Sequence, residues 1–385
     1  MSKRFSLLAI GNPYDGHFVR FIKYIKQGNP DILIDVFGLE QDNKVVSNDC
    51  VENVRNLFLF NSNRLFSKIP GLRTLELDWK IKEYFHRNVA RFHYDIVNIH
   101  YPSYYHKFIL SDIKIISKKM VLTPWGSDVY RISDFERKIV RKLYDAADVV
   151  TGNGLRFTKD FMRIYEIPES KFRHVHMFGD QIDYYFDNKD NITVEEAKRR
   201  FNIDGYYVIT CGYNGSEGQR HMDIIDAINR VKCRIPENIA LLFPFTYAGS
   251  QEYRNMIKRK VEELGFKAAY CEQYLDLEGL LSLRKATDMF IHIQPTDANN
   301  STLKEYLLLG KNVINGGWLR YDDVETEDYK PYHTTPTVAE LDETILRAYK
   351  EGPVPLSQKV LDKIESYGHR HLVPKWIEMF ESIID

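Results

Sequence analysis

Short apolar runs and longer amphipathic segments alternate along almost the whole chain. Each apolar run predicts a buried strand, and each segment with apolar residues three or four positions apart predicts a helix. Regular alternation of the two is typical of parallel sheets with helices on both faces, so the sequence predicts the α/β class. The predicted strands cover residues 5–10, 32–37, 95–100, 119–123, 147–151, 207–211, 239–245, 267–271, 289–293 and 312–315. The predicted helices include residues 18–27, 134–145, 222–232, 252–264 and 277–286.

The chain divides at a polar segment, residues 183–203, that is rich in Asp, Asn and Lys. With 385 residues the chain is too long for one ordinary hydrophobic core, so two domains are expected. We predict a first domain over residues 1–185 and a second over residues 200–365. A last helix, residues 370–385, carries Trp376 and Phe380 on its apolar face and is expected to join the first domain.

The composition indicates a globular protein without an extreme charge. Hydrophobic residues make up 44% and charged residues 28%, and the formal net charge is −1, which favours no nucleic acid partner. The four cysteines form no CxxC pair, which argues against a zinc site and fits a reducing compartment. The first apolar run ends at residues 11–13 without a cleavage-like site, and no apolar run approaches the ~20 residues of a spanning helix. We therefore expect a cytoplasmic protein without a metal site.

The most informative segment follows the predicted strand 289–293. A polar turn there contains Asp297 and leads into a helix that contains Glu305, eight positions further on. Asn300, Ser301 and Thr302 form a polar cap at the start of that helix. A strand, a polar turn and a helix N-terminus can hold a phosphate, and a carboxylate inside the helix can reach ribose hydroxyls. A charged pair on a surface helix is the alternative.

A second loop with candidate chemistry follows the predicted strand 207–211. Gly212, Gly215 and Gly218 allow a ligand to approach the backbone closely. Arg220, just before the next helix, is placed to neutralise a diphosphate through a forked contact. The alternative is a flexible connecting loop with a solvated arginine.

Two loops of the first half end predicted strands where parallel sheets bind ligands. The loop after the first strand lacks the GxGxxG spacing, so it is no dinucleotide fingerprint; Asp15 is a candidate base, and Gly16 and His17 are candidate contacts. Asp15 is equally well explained as a turn-stabilising residue. Asp128 either caps the next segment or faces a cleft, and His100, at a strand end, is either structural or a hydrogen-bond partner of a sugar hydroxyl.

Together these residues resemble the GT-B glycosyltransferases, and most closely the large family 4 of nucleotide-sugar transferases. Asp297-x7-Glu305 stands where that family has two glutamates at the same spacing, and Arg220 resembles the lysine of its diphosphate clamp. The segment 126–128, Gly-Ser-Asp, resembles the Gly-Ser-Asp loop of the family. The chain departs from the family pattern at Asp297, at the residues 298–300 that replace glycines, and at Tyr213, where the clamp has an arginine.

The resemblance implies two Rossmann-like domains facing each other across a catalytic cleft. The second domain would bind a nucleotide sugar as substrate, with no cofactor and no metal. Gly212, Gly215 and Asn300 would line the nucleotide site, Glu305 would contact the ribose, Arg220 with the Ser301 and Thr302 amides would hold the diphosphate, and Asp297 would contact the transferred sugar. Asp15, Gly16, His17, His100 and Asp128 would lie on the acceptor side. The candidate catalytic residues are Asp297, Glu305, Arg220 and His100.

The implied reaction is transfer of a hexosyl group to a glycan or lipid-linked acceptor in bacterial surface polysaccharide synthesis, with retention of the anomeric configuration. Residues 241–265 also resemble an inverting family that transfers 4-acetamido-4,6-dideoxygalactose. A nucleotide-sugar 2-epimerase and a non-catalytic partner of another transferase are further alternatives. Residues 64–73 and 137–142 mix basic and apolar side chains, which fits either contact with an anionic membrane or an ordinary amphipathic surface.

Overall fold

The computed structural model describes residues 3–41, 44–61, 72–152, 154–235, 238–297, 300–326 and 328–384. The chain forms two compact units, Met1–Phe178 with His369–Asp385, and Gly179–Gly368. The first unit therefore ends at Phe178 and not at residue 185. The reason is that the helix at 180–188 places Ile182 and Tyr185 in the hydrophobic core of the second unit.

The first unit is built on a parallel sheet of seven strands. The order across the sheet is β3-β2-β1-β4-β5-β6-β7, so the direction of winding reverses between β1 and β4. The strands are β1 (Ser6–Ile10), β2 (Leu33–Leu39), β3 (Asn56–Phe60), β4 (Tyr94–His100), β5 (Ser117–Thr123), β6 (Val149–Thr151) and β7 (Phe172–Arg173). The helices between them are α1 (Gly16–Gly28), α2 (Asn48–Val51), α3 (Leu72–Asn88), α4 (Leu110–Ile116), α5 (Ser127–Tyr130), α6 (Asp134–Ala146) and α7 (Leu155–Tyr165).

The second unit repeats the architecture with six parallel strands in the order β10-β9-β8-β11-β12-β13. Its winding reverses between β8 and β11. The strands are β8 (Tyr207–Cys211), β9 (Ile239–Phe243), β10 (Lys267–Tyr270), β11 (Met289–His292), β12 (Asn312–Gly316) and β13 (His333–Thr335). The helices are α8 (Asp180–Asn188), α9 (Val194–Arg200), α10 (His221–Val231), α11 (Gln251–Glu263), α12 (Leu277–Ala286), α13 (Ser301–Leu308), α14 (Leu341–Glu351) and α15 (Gln358–Glu365).

The last helix, α16 (His369–Ile384), belongs to the first unit. Trp376 is fully buried there, and its Nε1 donates a hydrogen bond to the carbonyl of His176 at 2.7 Å. Its ring meets that of Phe21, on α1, at a centroid distance of 5.0 Å. Gly28 allows the two helices to approach closely, because a Cβ at that position would overlap Val373.

The predicted α/β class is confirmed, and most predicted elements are present within a residue or two. Parallel strands that are buried on both faces appear in the sequence as continuous apolar runs, which makes them easy to find. The short strands β3, β7 and β13 were not predicted. In each unit, the loops at the carboxyl edge of the sheet, where the winding reverses, are the expected place for a ligand.

Candidate functional site

In the second unit, the loops after β8, β11 and β12 are joined at the side chain and backbone of one residue, Gln294. Its Oε1 accepts a hydrogen bond from Gln219 Nε2 at 2.9 Å and one from the Tyr213 hydroxyl at 3.4 Å. Its backbone carbonyl accepts from Trp318 Nε1 at 2.8 Å. The structure thus brings the two loops that were singled out from the sequence into one site, at the reversal of strand order.

The helix α13 begins in this site with a neutral cap. Asn300 is its N-cap, and the Oδ1 atom accepts from the backbone N–H of Leu303 at 2.9 Å. Within the described part of the chain, the backbone N–H groups of Ser301 and Thr302 have no acceptor. Unpaired amides at the positive end of a helix dipole attract an anion. Ala298 and Asn299, which complete the predicted polar turn, lie outside the described residues.

Arg220 lies at the start of α10, after the glycine-containing loop. Its backbone has a φ of +57°, and its guanidinium lies over the Trp318 ring, 5.6 Å from the centroid. Across the described ranges, no carboxylate forms an ion pair with Arg220. A half-buried cation without a carboxylate partner can accept an anionic ligand.

The glycines of that loop allow tight packing. Gly212 has a φ of +66°, and a Cβ there would come within 2.8 Å of the Gln219 Cβ. A Cβ on Gly215 would lie 2.6 Å from the carbonyl oxygen of Ala248, so only a glycine lets these two loops meet. The loop therefore packs closely against its neighbours.

Asp297 lies in the turn before α13, as the sequence predicted. Its Oδ2 accepts from the Tyr321 hydroxyl at 2.8 Å and lies 3.2 Å from His292 Nε2. The same nitrogen of His292 is 3.0 Å from Asn300 Nδ2. His292 and Tyr321 were not identified from the sequence. The sequence contains one signal for His292, which is the only polar residue in the apolar run 289–293.

Glu305 is on the second turn of α13 and is almost completely buried. Its Oε2 accepts from Arg284 Nε at 2.9 Å, and the Tyr185 hydroxyl is 3.4 Å from the same atom. The Arg284 guanidinium also reaches Thr302 Oγ1, at 3.4 Å. The carboxylate therefore belongs to a buried ion pair. Arg284, on the preceding helix, was not identified from the sequence.

The first unit contains a cavity of about 390 Å³ at the carboxyl edge of its sheet. Of the acceptor-side residues predicted from the sequence, Asp15 and His100 line it. Gly16 and His17 are exposed at the start of α1 and do not line it, although the His17 ring meets that of Trp125 at 5.9 Å. Aromatic residues that the sequence did not single out, Tyr101, Tyr105 and Trp125, complete the wall.

His100 ends β4 and is buried among aromatic rings. Its ring centroid is 4.3 Å from that of Phe21. Burial lowers the pKa of His100 to about 3, so the imidazole is neutral near pH 7. Asn98 Nδ2 lies 3.2 Å from His100 Nε2, and the Asn98 Oδ1 accepts from Thr123, so the amide group donates to the ring. The ring proton is then on Nδ1, which has no partner in the described part of the chain.

The two candidate acids of the first unit, Asp15 and Asp128, both accept hydrogen bonds from backbone amides. Asp15 is the N-cap of α1, and its Oδ1 accepts from the N–H groups of His17 at 2.8 Å and Phe18 at 3.3 Å. Asp128 is fully buried and accepts from the N–H groups of Trp125 at 2.9 Å and Gly126 at 2.8 Å. Asp128 does not line the cavity, so the alternative of a local structural role describes its position.

The other sequence-based expectations concern metals and membranes. Among the described residues, no three His, Cys, Asp or Glu side chains are grouped as metal ligands would be. None of the helices in the described ranges is long and apolar enough to span a bilayer. Most of the segment 64–73 lies outside the described residues, and on α6 Arg137 pairs with Asp134 and Arg141 with Glu166. Membrane contact stays a prediction.

Known proteins resemble this chain in structure, whereas no family model and no curated protein matches its sequence. The structure of Anabaena HepE in complex with UDP and glucose has a TM-score of 0.66 at 14% identity, over 98% of this chain and 100% of that one. A glycosyltransferase from Rickettsia africae has a TM-score of 0.73 at 14% identity, over 100% and 99%. The sucrose-phosphate synthase of Thermosynechococcus elongatus has a TM-score of 0.71 at 14% identity, over 99% of both chains. The chain has the GT-B fold, as predicted.

Replacing Asp128 by Asn should flatten the dependence of stability on pH. Burial raises the pKa of Asp128 to about 7, and its Oδ2 atom is buried without a described partner. A carboxyl with a raised pKa stabilises the fold fully below its ordinary pKa of 3.8, and this contribution is lost as the pH rises through 7. Between pH 3.8 and about 7, the free energy of unfolding of the wild type should therefore fall by up to about 1.4 kcal/mol per pH unit more than that of the variant. Melting temperatures from pH 5 to 8 measure this.

The exposed Asp134, changed to Asn, serves as the control and should keep the wild-type slope. An Asp128→Asn variant with the same slope as the wild type would show that this carboxyl is ionised in the fold.

Glu305→Ala should lower the free energy of unfolding by about 3–5 kcal/mol, because Arg284 would be left as a buried charge without its carboxylate. The double variant Arg284→Met/Glu305→Leu should recover most of that loss. Melting temperatures compare them, with Glu343→Ala, which breaks the exposed pair with Arg234, as the control with little effect. A single variant as stable as the wild type would contradict the assigned ion pair.

Proposed function

We propose that this protein is a glycosyltransferase that moves a sugar from a nucleoside-diphosphate sugar to an acceptor hydroxyl. The observation that carries the proposal is the anion site of the second unit. There, among the described residues, the N–H groups of Ser301 and Thr302 at the N-terminus of α13 have no acceptor, and the guanidinium of Arg220 after β8 has no carboxylate partner. The two loops are joined through Gln219 and Gln294. A diphosphate is the anion that two such neighbouring donors fit.

The structural neighbours support the same class of ligand. Anabaena HepE, which has the same fold, is known in complex with UDP, with UDP and glucose, and with UDP-glucose. We infer a nucleoside diphosphate as the leaving group, with UDP as the first candidate. The family 4 resemblance of Asp297-x7-Glu305 and Arg220 supports this independently of the fold.

In the proposed reaction, the acceptor oxygen forms a bond to the anomeric carbon as the bond from that carbon to the β-phosphate oxygen breaks. The electron pair leaves with the diphosphate, and the acceptor proton passes to the leaving phosphate oxygen. Arg220 and the amides of Ser301 and Thr302 would stabilise the negative charge that develops there. Because these groups supply the positive end of the site, we propose that turnover persists in the presence of EDTA.

Asp297 and Glu305 take different parts in this proposal. Asp297 is only partly buried, in the turn, and is oriented by Tyr321 and His292, which suits a contact with hydroxyls of the transferred sugar. Glu305 is held in place by Arg284, so a ribose contact would use the carboxylate oxygen that Arg284 does not engage. His100 would serve the acceptor as a neutral hydrogen-bond donor, because burial keeps its pKa far below 7.

The finer assignments come from the sequence resemblance. We propose hexosyl transfer with retention, in which the acceptor enters on the face that the diphosphate leaves. Bacterial surface polysaccharide synthesis is the proposed setting, with a glycan or lipid-linked acceptor. The replacements at Tyr213, Asp297 and Asn300 set this chain apart from the family pattern and concern the identity of the donor sugar.

Arg220→Ala should weaken UDP binding by about 10- to 100-fold, the range expected when a charged hydrogen-bond donor is lost. Calorimetric titration of the purified protein with UDP measures this, alongside GDP, TDP, ADP and CMP. Arg230→Ala, at the other end of α10, is the matched control, because Arg230 pairs with Asp342 and should leave the affinity unchanged. Equal affinities for the Arg220→Ala variant and the wild type would remove Arg220 from the nucleotide site.

Incubation with the nucleotide sugar that binds, together with a panel of glycoside acceptors, should give a product with the anomeric configuration of the donor. The coupling constant of the anomeric proton in NMR spectra reports that configuration. An inverted product would favour the alternative inverting family, and an isomerised sugar formed without acceptor would identify a 2-epimerase. Absence of binding to every nucleotide would identify the non-catalytic alternative.

A further inference from the structure

The anion site of the second unit contains the cation Arg220, whereas the described lining residues of the cavity in the first unit include no lysine or arginine. We propose that this cavity binds an electroneutral sugar ring, so that the acceptor is an uncharged glycosyl unit and not a phosphorylated or carboxylated one. That the cavity receives the acceptor rests on the proposed glycosyl transfer. The charge and polarity of the ring that fits it depend on the cavity wall alone.

The charged residues of the cavity wall disfavour an anion. Among the described residues that line the cavity, Asp15 is the one carboxylic acid, and none is a lysine or an arginine. Two histidines also line it, and burial lowers the pKa of His100 to about 3 and that of His106 to about 3, so both imidazoles are neutral. The described part of the wall thus contains an acid and no lysine or arginine, which disfavours phosphate and carboxylate groups.

The dipole of α1 contributes little to the binding of an anion in the cavity. The N-terminus of α1 lies beside the cavity, but the carboxylate of Asp15 already accepts from the N–H groups of His17 and Phe18. The N-cap of α1 is therefore a carboxylate, whereas the N-cap of α13 is the neutral side chain of Asn300. Arg20, one turn further along α1, places its Nη2 atom 3.1 Å from His17 Nδ1 and does not line the cavity.

The shape and surface suit a sugar ring. At about 390 Å³, the volume falls within the range of ~300–1,000 Å³ that is usual for small-ligand pockets. Tyr101, Tyr105 and Trp125 give the wall its flat aromatic surfaces. The ring of Trp125 meets those of His100 and Tyr101 almost at right angles, with centroids 6.3 and 6.1 Å away, and these contacts fix its orientation. The apolar C–H faces of a sugar pack on such rings.

The polar atoms of the wall suit hydroxyl groups. His100 Nδ1 and Trp125 Nε1 belong to residues that line the cavity and have no acceptor in the described part of the chain, although neither atom is exposed to solvent. A ligand hydroxyl that reaches such a donor would complete its hydrogen bond. Asp15 uses its Oδ1 atom for the helix cap, which leaves Oδ2 to accept from a hydroxyl. Two donors and one acceptor among aromatic rings match a neutral polyol.

The test uses the full chain and matched pairs of probes. The probes are the methyl glycosides of glucose, galactose, mannose and N-acetylglucosamine and the corresponding 6-phosphates, with inorganic phosphate as a further probe. Saturation-transfer NMR measures binding without any nucleotide. We expect at least one methyl glycoside to bind at least 10-fold more tightly than its 6-phosphate, and inorganic phosphate not to compete.

Variants of the lining residues test whether the methyl glycosides bind in the cavity. Trp125→Ala should abolish it and His100→Leu should weaken it about 10-fold, the loss of one buried donor. Trp79→Ala is the control, since Trp79 is an exposed tryptophan of α3. The sharpest variant is Gln41→Lys, because Gln41 lines the cavity but is only partly buried. It adds a cation to the wall and should raise the affinity for the 6-phosphate, relative to that for the methyl glycoside, at least 10-fold.

Each outcome decides the proposal. Tighter binding of the 6-phosphates to the wild type, binding of neither probe series, or full binding to Trp125→Ala would overturn it. Thermal unfolding of the same samples shows whether each variant of the first unit is folded, and titration with UDP reports on the second unit. A protein that binds methyl glycosides but no nucleotide would overturn the proposed transferase activity. It would still support the proposal that the cavity binds an uncharged sugar.

Discussion

The reversal of strand order in each parallel sheet is the constraint on which the candidate sites depend. In the second unit, the chain leaves β8 and β11, which are neighbours in the sheet, toward helices that begin at the same edge. The loops after these strands therefore meet, and Gln219 Nε2 of one donates a hydrogen bond to Gln294 Oε1 of the other. Without that reversal, Arg220 and the first turn of α13 would have no reason to lie in one site.

The two units use the same helix-capping geometry to opposite effect. Asp15 caps α1 with a carboxylate, and Asn300 caps α13 with a neutral amide oxygen. Both oxygens satisfy a backbone N–H, but only the aspartate cancels the positive end of the helix. One carboxylate in place of an amide thus decides whether a helix N-terminus repels an anion or attracts one.

The sequence was sufficient where the signal is local. The strand Tyr207–Cys211 and the helix Leu277–Ala286 have the predicted bounds, and Asp297 lies in the turn before its helix. The failures concern residues whose partners are distant along the chain. Arg284 neutralises Glu305 from another helix, and the Tyr321 hydroxyl donates to Asp297 from a loop that is 24 positions away along the chain. No periodicity reports such partners, because they are chosen by tertiary packing.

The helix α16 has a consequence for the order in which the protein forms. The second unit is one continuous stretch of chain, Gly179–Gly368, whereas the first unit is interrupted by it. The core of the first unit includes Trp376, which is packed on Phe21. During synthesis, the second unit can close its core while the first still lacks the helix that covers α1. The half of the molecule that is made first is thus completed last, and its apolar surface stays open to water or to chaperones until residues 369–384 arrive.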